Sequence, residues 1–482
     1  MPYAPLLFVF SVFAWACTIS TQQAAEFHLG PLFDEFDLTL SPGKRVEALG
    51  PLFYTEHRES ERTWALPPLF AHASDPETDY TEYDVLYPLL TFDRFGEQYR
   101  WQLFQLLNWA GGPSQEEPLR RRFSLFPVYL QQRSSNPAEN YVSIFPFYGH
   151  LRNRLFRDEI FFIMFPFFGQ SRKKDVVTDN YVYPFYHIRH GNGLEGRQFW
   201  PFAGHEHKEI TTETNGFGDV RTIPGHDQRF IMGPFYYNET NGIGTDNPEW
   251  QRGSLPSFAL LRSPKRDSTT VIWPFFSVID DREKKYHERQ ILWPIIVRAR
   301  GPGKTADRVL PFFSKAHSPE LESVSYMWPV YKRNAIHSPP LDRERVRILL
   351  FLYSDTVQEN TETKASQRRT LLLPIFDRRR DYNGDTRLQV LAPLEPFMPN
   401  VKSIARDYSQ LWSVWRAESS PSRGAASQSL LWNLYRHETR PGGKKCSLLF
   451  GLFQYESGPE SKRVRLFYIP VNESRQPDSV KK

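Results

Sequence analysis

The sequence predicts an all-β protein: tandem strand-and-hairpin repeats of about 20 residues, about 22 units in all, forming a mainly antiparallel meander that is barrel-like or built of stacked, curved sheets. Three observations predict it. A short word, an aromatic or aliphatic residue followed by Pro and two apolar or aromatic residues, recurs along most of the chain. The apolar runs around it are too short for helices and rich in β-branched and aromatic residues. Between the runs lie hairpin signals such as Gly191-Asn192-Gly193, Asn383-Gly384 and Pro441-Gly442-Gly443.

The words are Phe126-Pro127-Val128-Tyr129, Phe145-Pro146-Phe147-Tyr148, Phe165-Pro166-Phe167-Phe168, Tyr183-Pro184-Phe185-Tyr186 and Trp200-Pro201-Phe202. A second series reads Trp273-Pro274-Phe275-Phe276, Trp293-Pro294-Ile295-Ile296, Leu310-Pro311-Phe312-Phe313 and Trp328-Pro329-Val330-Tyr331, with a later copy at Leu373-Pro374-Ile375-Phe376. Consecutive prolines are 19, 20, 18 and 17 residues apart in the first series and 20, 17 and 18 in the second. Weaker copies lack the leading aromatic, as in Pro51-Leu52-Phe53, or the proline, as in Leu349-Leu350-Phe351 and Leu431-Trp432. The expectation is one strand of about 12 residues per unit, centred on the proline word, with a turn of about 6–8 residues. At period two, Ile144, Pro146, Tyr148, His150 and Arg152 share one face, and Phe145, Phe147 and Gly149 the other. Both faces are apolar at mid-strand, so the strands read as covered on both sides. Helical periodicity is scarce; 115–122 is the best short exception.

The expected organisation is a signal peptide over 1–16, a short linker over 17–25, a single β-repeat domain over 26–475 with an irregular stretch at 205–270, and a polar tail over 476–482. Leu6 to Ala16 is an apolar run ending in Ala14-Trp15-Ala16, of signal-peptide length and too short to span a bilayer. The small residue followed by Cys17 resembles the lipobox of bacterial lipoproteins, which makes Cys17 the candidate lipidation site. The only other cysteine is Cys446, which excludes a disulfide scaffold and a Cys-rich zinc module.

Net charge is +5, from 60 Lys+Arg against 55 Asp+Glu, and the charges are interleaved; nucleic acid is not an expected partner. The unusual composition is 38 Phe, 23 Tyr and 12 Trp, with 39 Pro against 27 Gly. No catalytic signature is present, and no catalytic residue, metal ligand or cofactor is assigned. Gly191-Asn192-Gly193-Leu194-Glu195-Gly196 matches G-x-G-x-x-G but precedes a strand rather than a helix, and so reads as a hairpin turn. His150, His187, His190, His205 and His207 sit near expected strand ends without metal-ligand spacing. The oxygen-rich segment 238–247 lacks the EF-hand order. Arg378-Arg379-Arg380 and Lys173-Lys174 read as solvated strand ends, with anionic headgroups as the sharper reading. Asn238-Glu239-Thr240 and Asn472-Glu473-Ser474 match glycosylation sequons.

The expected protein is exported and non-enzymatic: an outer-membrane-associated, barrel-like envelope protein with a transport, lipid-handling or structural role and membrane lipid or envelope components as partners. The alternative is a soluble or lipid-tethered extracytoplasmic module, solenoid- or propeller-like, that binds glycans or a protein partner. Prolines at mid-strand weigh against hydrocarbon, because each removes a ladder donor.

Overall fold

A computed structural model describes residues 32–113, 119–214, 218–395, 397–398, 401–459 and 461–475. Within them, 43 strands belong to one sheet and two more, Thr211–Thr214 and Val220–Ile223, form a separate hairpin. The pairings among the described residues are antiparallel and, with the exception of Ala203–Lys208 with Gly225–Ile231, join strands that follow one another, as in Tyr286–Ile291 with Ile296–Arg300. The fold is thus the all-β antiparallel meander that the repeats predict. The first and last described strands, Asp34–Asp37 and Ile469–Arg475, each pair with a single neighbour, so the described ladder is an open meander and not a closed barrel. The expected signal peptide, linker, Cys17 and tail lie outside the described residues.

The proline words occupy a different place from the one expected. They are not strand centres but hairpin turns. Tyr286–Ile291 ends where Leu292-Trp293-Pro294-Ile295 turns the chain into Ile296–Arg300. Each unit therefore holds two strands of four to eight residues and two turns, one apolar and one polar. The physical reason is the turn type. Proline at the third position of a four-residue turn, with a cis peptide bond before it, defines a type VI turn that needs neither Gly nor Asn. The apolar face-to-face pattern expected at mid-strand is instead a pattern along the strand axis, from an apolar margin to a polar one.

The residues divide into two compact units, one of 1–77 with 384–482 and one of 78–383. In the second, side chains alternate between an open and an enclosed face. Phe276, Val278 and Asp280 are exposed, whereas Ser277, Ile279 and Asp281 are buried. The enclosed face is kept shallow by small residues: Ala299 is 0% exposed and Ala306 5%. Glycines serve the same end under aromatic rings of the facing strand. Gly149 lies opposite Phe162, Gly204 opposite Phe230 and Gly253 opposite Tyr237. A Cβ on Gly149 would stand 2.2 Å from the Phe162 ring. Gly149→Ala is therefore expected to push Phe162 out of its place and cost about 1–3 kcal/mol, read as a lowered thermal midpoint. An unchanged midpoint would show that the ring has room to move.

The stretch 205–270 departs from the repeat by an insertion. Ala203–Lys208 pairs with Gly225–Ile231, and the two-stranded hairpin is inserted between them. Arg120–Leu125 is a strand, so the helical expectation over 115–122 fails where the structure describes it. Among the described residues two α-helices occur instead at Lys402–Asp407 and Ser409–Trp412, of six and four residues, too short to show a 3.6-residue period in sequence.

In the first unit the early strands meet the late segments through a buried polar clasp. Arg45 is 5% exposed and Glu47 1%. The Arg45 guanidinium lies 2.8 Å from Glu47 and 3.1 Å from Glu56, donates to the Gln410 side chain, and stands 3.7 Å from the centre of the Tyr54 ring. Asn433 donates to Glu47 at 2.9 Å and to Asp34 at 3.2 Å, and Tyr54 donates to the Arg406 carbonyl at 3.2 Å. Arg440 pairs with Asp37 at 3.0 Å, and Arg436 lies 3.5 Å over the Phe36 ring. Burial lowers the Arg416 guanidinium to about 10 against the attraction of Glu47, and burial raises the Tyr54 hydroxyl.

Candidate membrane-facing margin

The apolar turns leave large side chains in water. Phe147 is 62% exposed, Phe167 62%, Phe312 60%, Trp328 50% and Trp293 43%. Such residues scattered singly would be ordinary surface, but here they succeed one another along one margin, and a continuous apolar patch calls for a partner phase.

The turns are also hydrogen-bonded to one another. In Met164-Phe165-Pro166-Phe167, Met164 N–H donates to the Phe147 carbonyl at 2.6 Å, and Phe165 N–H to the Pro146 carbonyl at 2.7 Å. Pro166 has no N–H, and Phe167 N–H closes the turn on the Met164 carbonyl at 2.9 Å. The next turn repeats the pattern: Val182 donates to Phe167, Tyr183 to Pro166, and Phe185 to Val182. Ile272-Trp273-Pro274-Phe275 and Met327-Trp328-Pro329-Val330 do the same against the turns before them. Each of these turns thus has every backbone donor paired or absent. The prolines, an obstacle to hydrocarbon at mid-strand, remove at the turn a donor that would otherwise be left over.

On the open face the first charges stand three residues from the turn: Arg289 and Arg298 around Leu292 to Ile295, Lys315 after Phe312, and Arg333 after Val330. Three residues at ~3.3 Å each give an apolar band of about 10 Å, which fits within the ~15 Å of one leaflet. The whole strands do not fit the other dimension. A bilayer-spanning strand needs about 9–11 residues, and the longest here have eight. Just inside the band, open-face rings form a row across successive strands. Tyr148, Phe161, Phe168, Tyr181, Tyr186, Phe199 and Phe202 follow one another with centroids 5.1 to 6.4 Å apart.

The other candidate residues are dispersed. The five histidines do not converge. His150 pairs with Glu159 at 2.5 Å, His190 lies 3.7 Å from Asp179, and His205 and His207 lie 3.5 and 3.3 Å from Asp227. Burial, with Arg189 nearby, lowers the His187 pKa. Among the described residues no group of three or more His, Cys, Asp or Glu is placed to hold a metal ion. Gly191-Asn192-Gly193 is a hairpin turn, with Gly191 at φ +112°, where a Cβ would stand 2.0 Å from the Asp175 carbonyl oxygen. Most of 238–247 lies in the strand Tyr236–Ile243, where alternate oxygens point to opposite faces. Arg378 and Arg380 are exposed, whereas Arg379 holds Asp377 at 2.8 Å. Lys174 reaches Glu213 at 2.5 Å. Asn238 is half-buried within its strand. Cys446 is a free thiol in Gly443–Leu448.

The hydrogen bond from His150, followed by the charge of Arg172 at 2.6 Å, holds Glu159 below the usual carboxylate range although burial opposes this. A carboxylate with a depressed folded pKa adds stability that is fully present above its unfolded value, about 4.3, and fades as pH falls through the lower folded value. Glu159→Gln is therefore expected to destabilise the protein at pH 6 and to flatten the loss of stability between pH 5 and 3. Parallel acid limbs for the two proteins would count against the assignment.

No family model matches the chain, and no curated protein matches it.

Proposed function

We propose that the chain is a non-enzymatic cell-envelope protein that lies on a membrane with its apolar turns inserted in one leaflet, exported by the segment over 1–16 and tethered through a lipid on Cys17. Its role is structural or lipid-handling rather than that of a pore. The observation that supports this most is the margin itself: exposed aromatic and aliphatic turns whose backbone donors are paired or absent, bordered by charges at about the depth of a leaflet. A lipid chain at Cys17 would supply the second anchoring signal that a shallow insertion needs for stable attachment.

The test is partition of residues 17–482 into phosphatidylcholine vesicles whose acyl chains carry bromine at graded depths. Tryptophans 273, 293 and 328 should be quenched most by shallow bromines and the vesicles should not leak. Monodisperse protein that stays in the supernatant, with tryptophan emission unchanged by vesicles, would refute insertion.

The row of seven open-face rings favours one alternative, a module that stacks glycan rings on Tyr148, Tyr181 and their neighbours. In that case soluble oligosaccharide would quench the aromatic emission, with no partition into vesicles.

A further inference from the structure

The enclosed face of the second unit is balanced in most places. Arg189 meets Glu206 at 2.8 Å and Lys304 meets Glu288 at 2.6 Å. Between Phe313 and Arg380 it is not. The strands Tyr331–Ser338, Leu341–Ile348, Tyr353–Asn360 and Ser366–Leu372 pair in register, so directly opposed residues share a face. Arg347 lies between Lys332 and Ser354, Arg345 between Asn334 and Thr356, and Arg343 between Ile336 and Gln358. Arg369 and Arg379 continue the same face. The single carboxylate on it, Asp377, is already held by Arg369 and Arg379, each at 2.8 Å.

Lys332, Arg343, Arg345 and Arg347 have no carboxylate partner, and all four are half-buried. Arg345 donates to the Thr356 hydroxyl at 3.2 Å. Burial first, then the charges of Arg343 and Arg347, lower the Arg345 guanidinium; no acid offsets them. On the opposite face of the same strands, Arg333 and Arg368 have their acids, Glu344 at 2.5 Å and Asp355 at 2.9 Å. Half-buried like charges held together without an anion are costly, so an arrangement of this kind calls for one.

We propose that Arg343, Arg345, Arg347 and Lys332 form a binding site for a phosphate-bearing ligand. Alternate residues of one strand stand ~6.6 Å apart, so the three guanidinium forks can grip two phosphate groups or one phosphate and its ester oxygens. Ser354, Thr356 and Asn334 add neutral donors beside them. Lys332 and Arg347 are each two residues from an apolar turn, at the upper edge of the band assigned to the leaflet. A lipid headgroup is the source that this position favours, which rests on the leaflet insertion proposed above; soluble phosphates share the same chemistry.

The experiment uses the full chain and two probes: pyrophosphate in solution, and vesicles of phosphatidylcholine with or without phosphatidic acid. The variant is Arg343→Gln/Arg345→Gln/Arg347→Gln, with Lys284→Gln/Lys285→Gln/Lys364→Gln in the polar turns as a control of equal charge loss. The expected result is at least one probe bound by the parent and the control, and bound about tenfold or more weakly by the arginine variant. Preference for phosphatidic acid vesicles that depends on the arginines identifies the lipid headgroup. Arginine-dependent pyrophosphate binding without any vesicle binding keeps the site and removes the leaflet reading. Equal binding by variant and parent, or no binding of either probe by the parent, overturns the site. Arg345→Gln alone provides a check on folding: relief of repulsion should raise the thermal midpoint without ligand, and phosphate should raise that of the parent more. A lowered midpoint for Arg345→Gln without ligand would also overturn it.

Discussion

Replacing Trp293 and Trp328 together by Asp is expected to lower vesicle partition by about a hundredfold or more while leaving the thermal midpoint within experimental scatter. Both rings are substantially exposed, at 43% and 50%, so the folded chain in water loses little packing when they go. In the leaflet the account is different. Each substitution forfeits about 1.5–3 kcal/mol of apolar burial and sets a carboxylate where charge is costly by up to about 3 kcal/mol. The backbone of both turns stays intact, since the exchanged residues donate the same amide hydrogen bonds to Phe275 and Pro311 as before. Co-sedimentation with vesicles, beside a melting curve, reads the two quantities separately. Partition unchanged in the folded double variant would remove the margin from the membrane.

The largest loss of stability is expected from Arg45→Met. Arg45 is the common partner of Glu47, Glu56 and Gln410, and its removal leaves Glu47 buried with Asn433 donating to it and the charge of Arg416 as its remaining attraction. Breaking a buried ion pair on one side costs about 3–5 kcal/mol. Exchanging both charges, as in Arg45→Met/Glu47→Leu, should cost less than the sum of the two single changes because the pair acts as one. Because repeat ladders need not unfold in one step, the sharper measurement is hydrogen exchange: protection should fall first in Gly43–Ala48 and Phe53–Arg58. Uniform loss along the whole chain, or none, would show that the clasp does not secure those strands.

The repeat and its all-β character were legible because one word recurs at a period of 17 to 20 residues. The role of that word was not. Turns are ordinarily recognised by Gly, Asn and Asp, and Trp293-Pro294-Ile295 has the composition of a buried strand. Only proline at a fixed place in most copies hinted at a type VI turn, and at the strand centre where the period places it the same proline is merely a missing ladder donor. Arg343, Arg345 and Arg347 were visible as an alternating triplet, R-E-R-V-R, whose period already placed three cations on one face. What it could not show was the absence of acids on the neighbouring strands, which depends on register. The clasp had no sequence signal at all. Thr39 and Ser427 bond at 2.6 Å across 388 residues, and nothing local links them.

The amide bonds that pass from one proline turn to the next have a consequence for how such a chain can change length. Turns such as Met164 to Phe167 offer their successor the same two carbonyls that they took from their predecessor. A whole copy can therefore be gained or lost between two others without any new surface having to be invented, much as a course of bricks is added to a wall. The insertion after Ala203–Lys208 shows the looser freedom of the opposite margin, where a hairpin has been let out without breaking the beat. Growth by duplication thus finds a ready rule on the greasy side and room for novelty on the wet one.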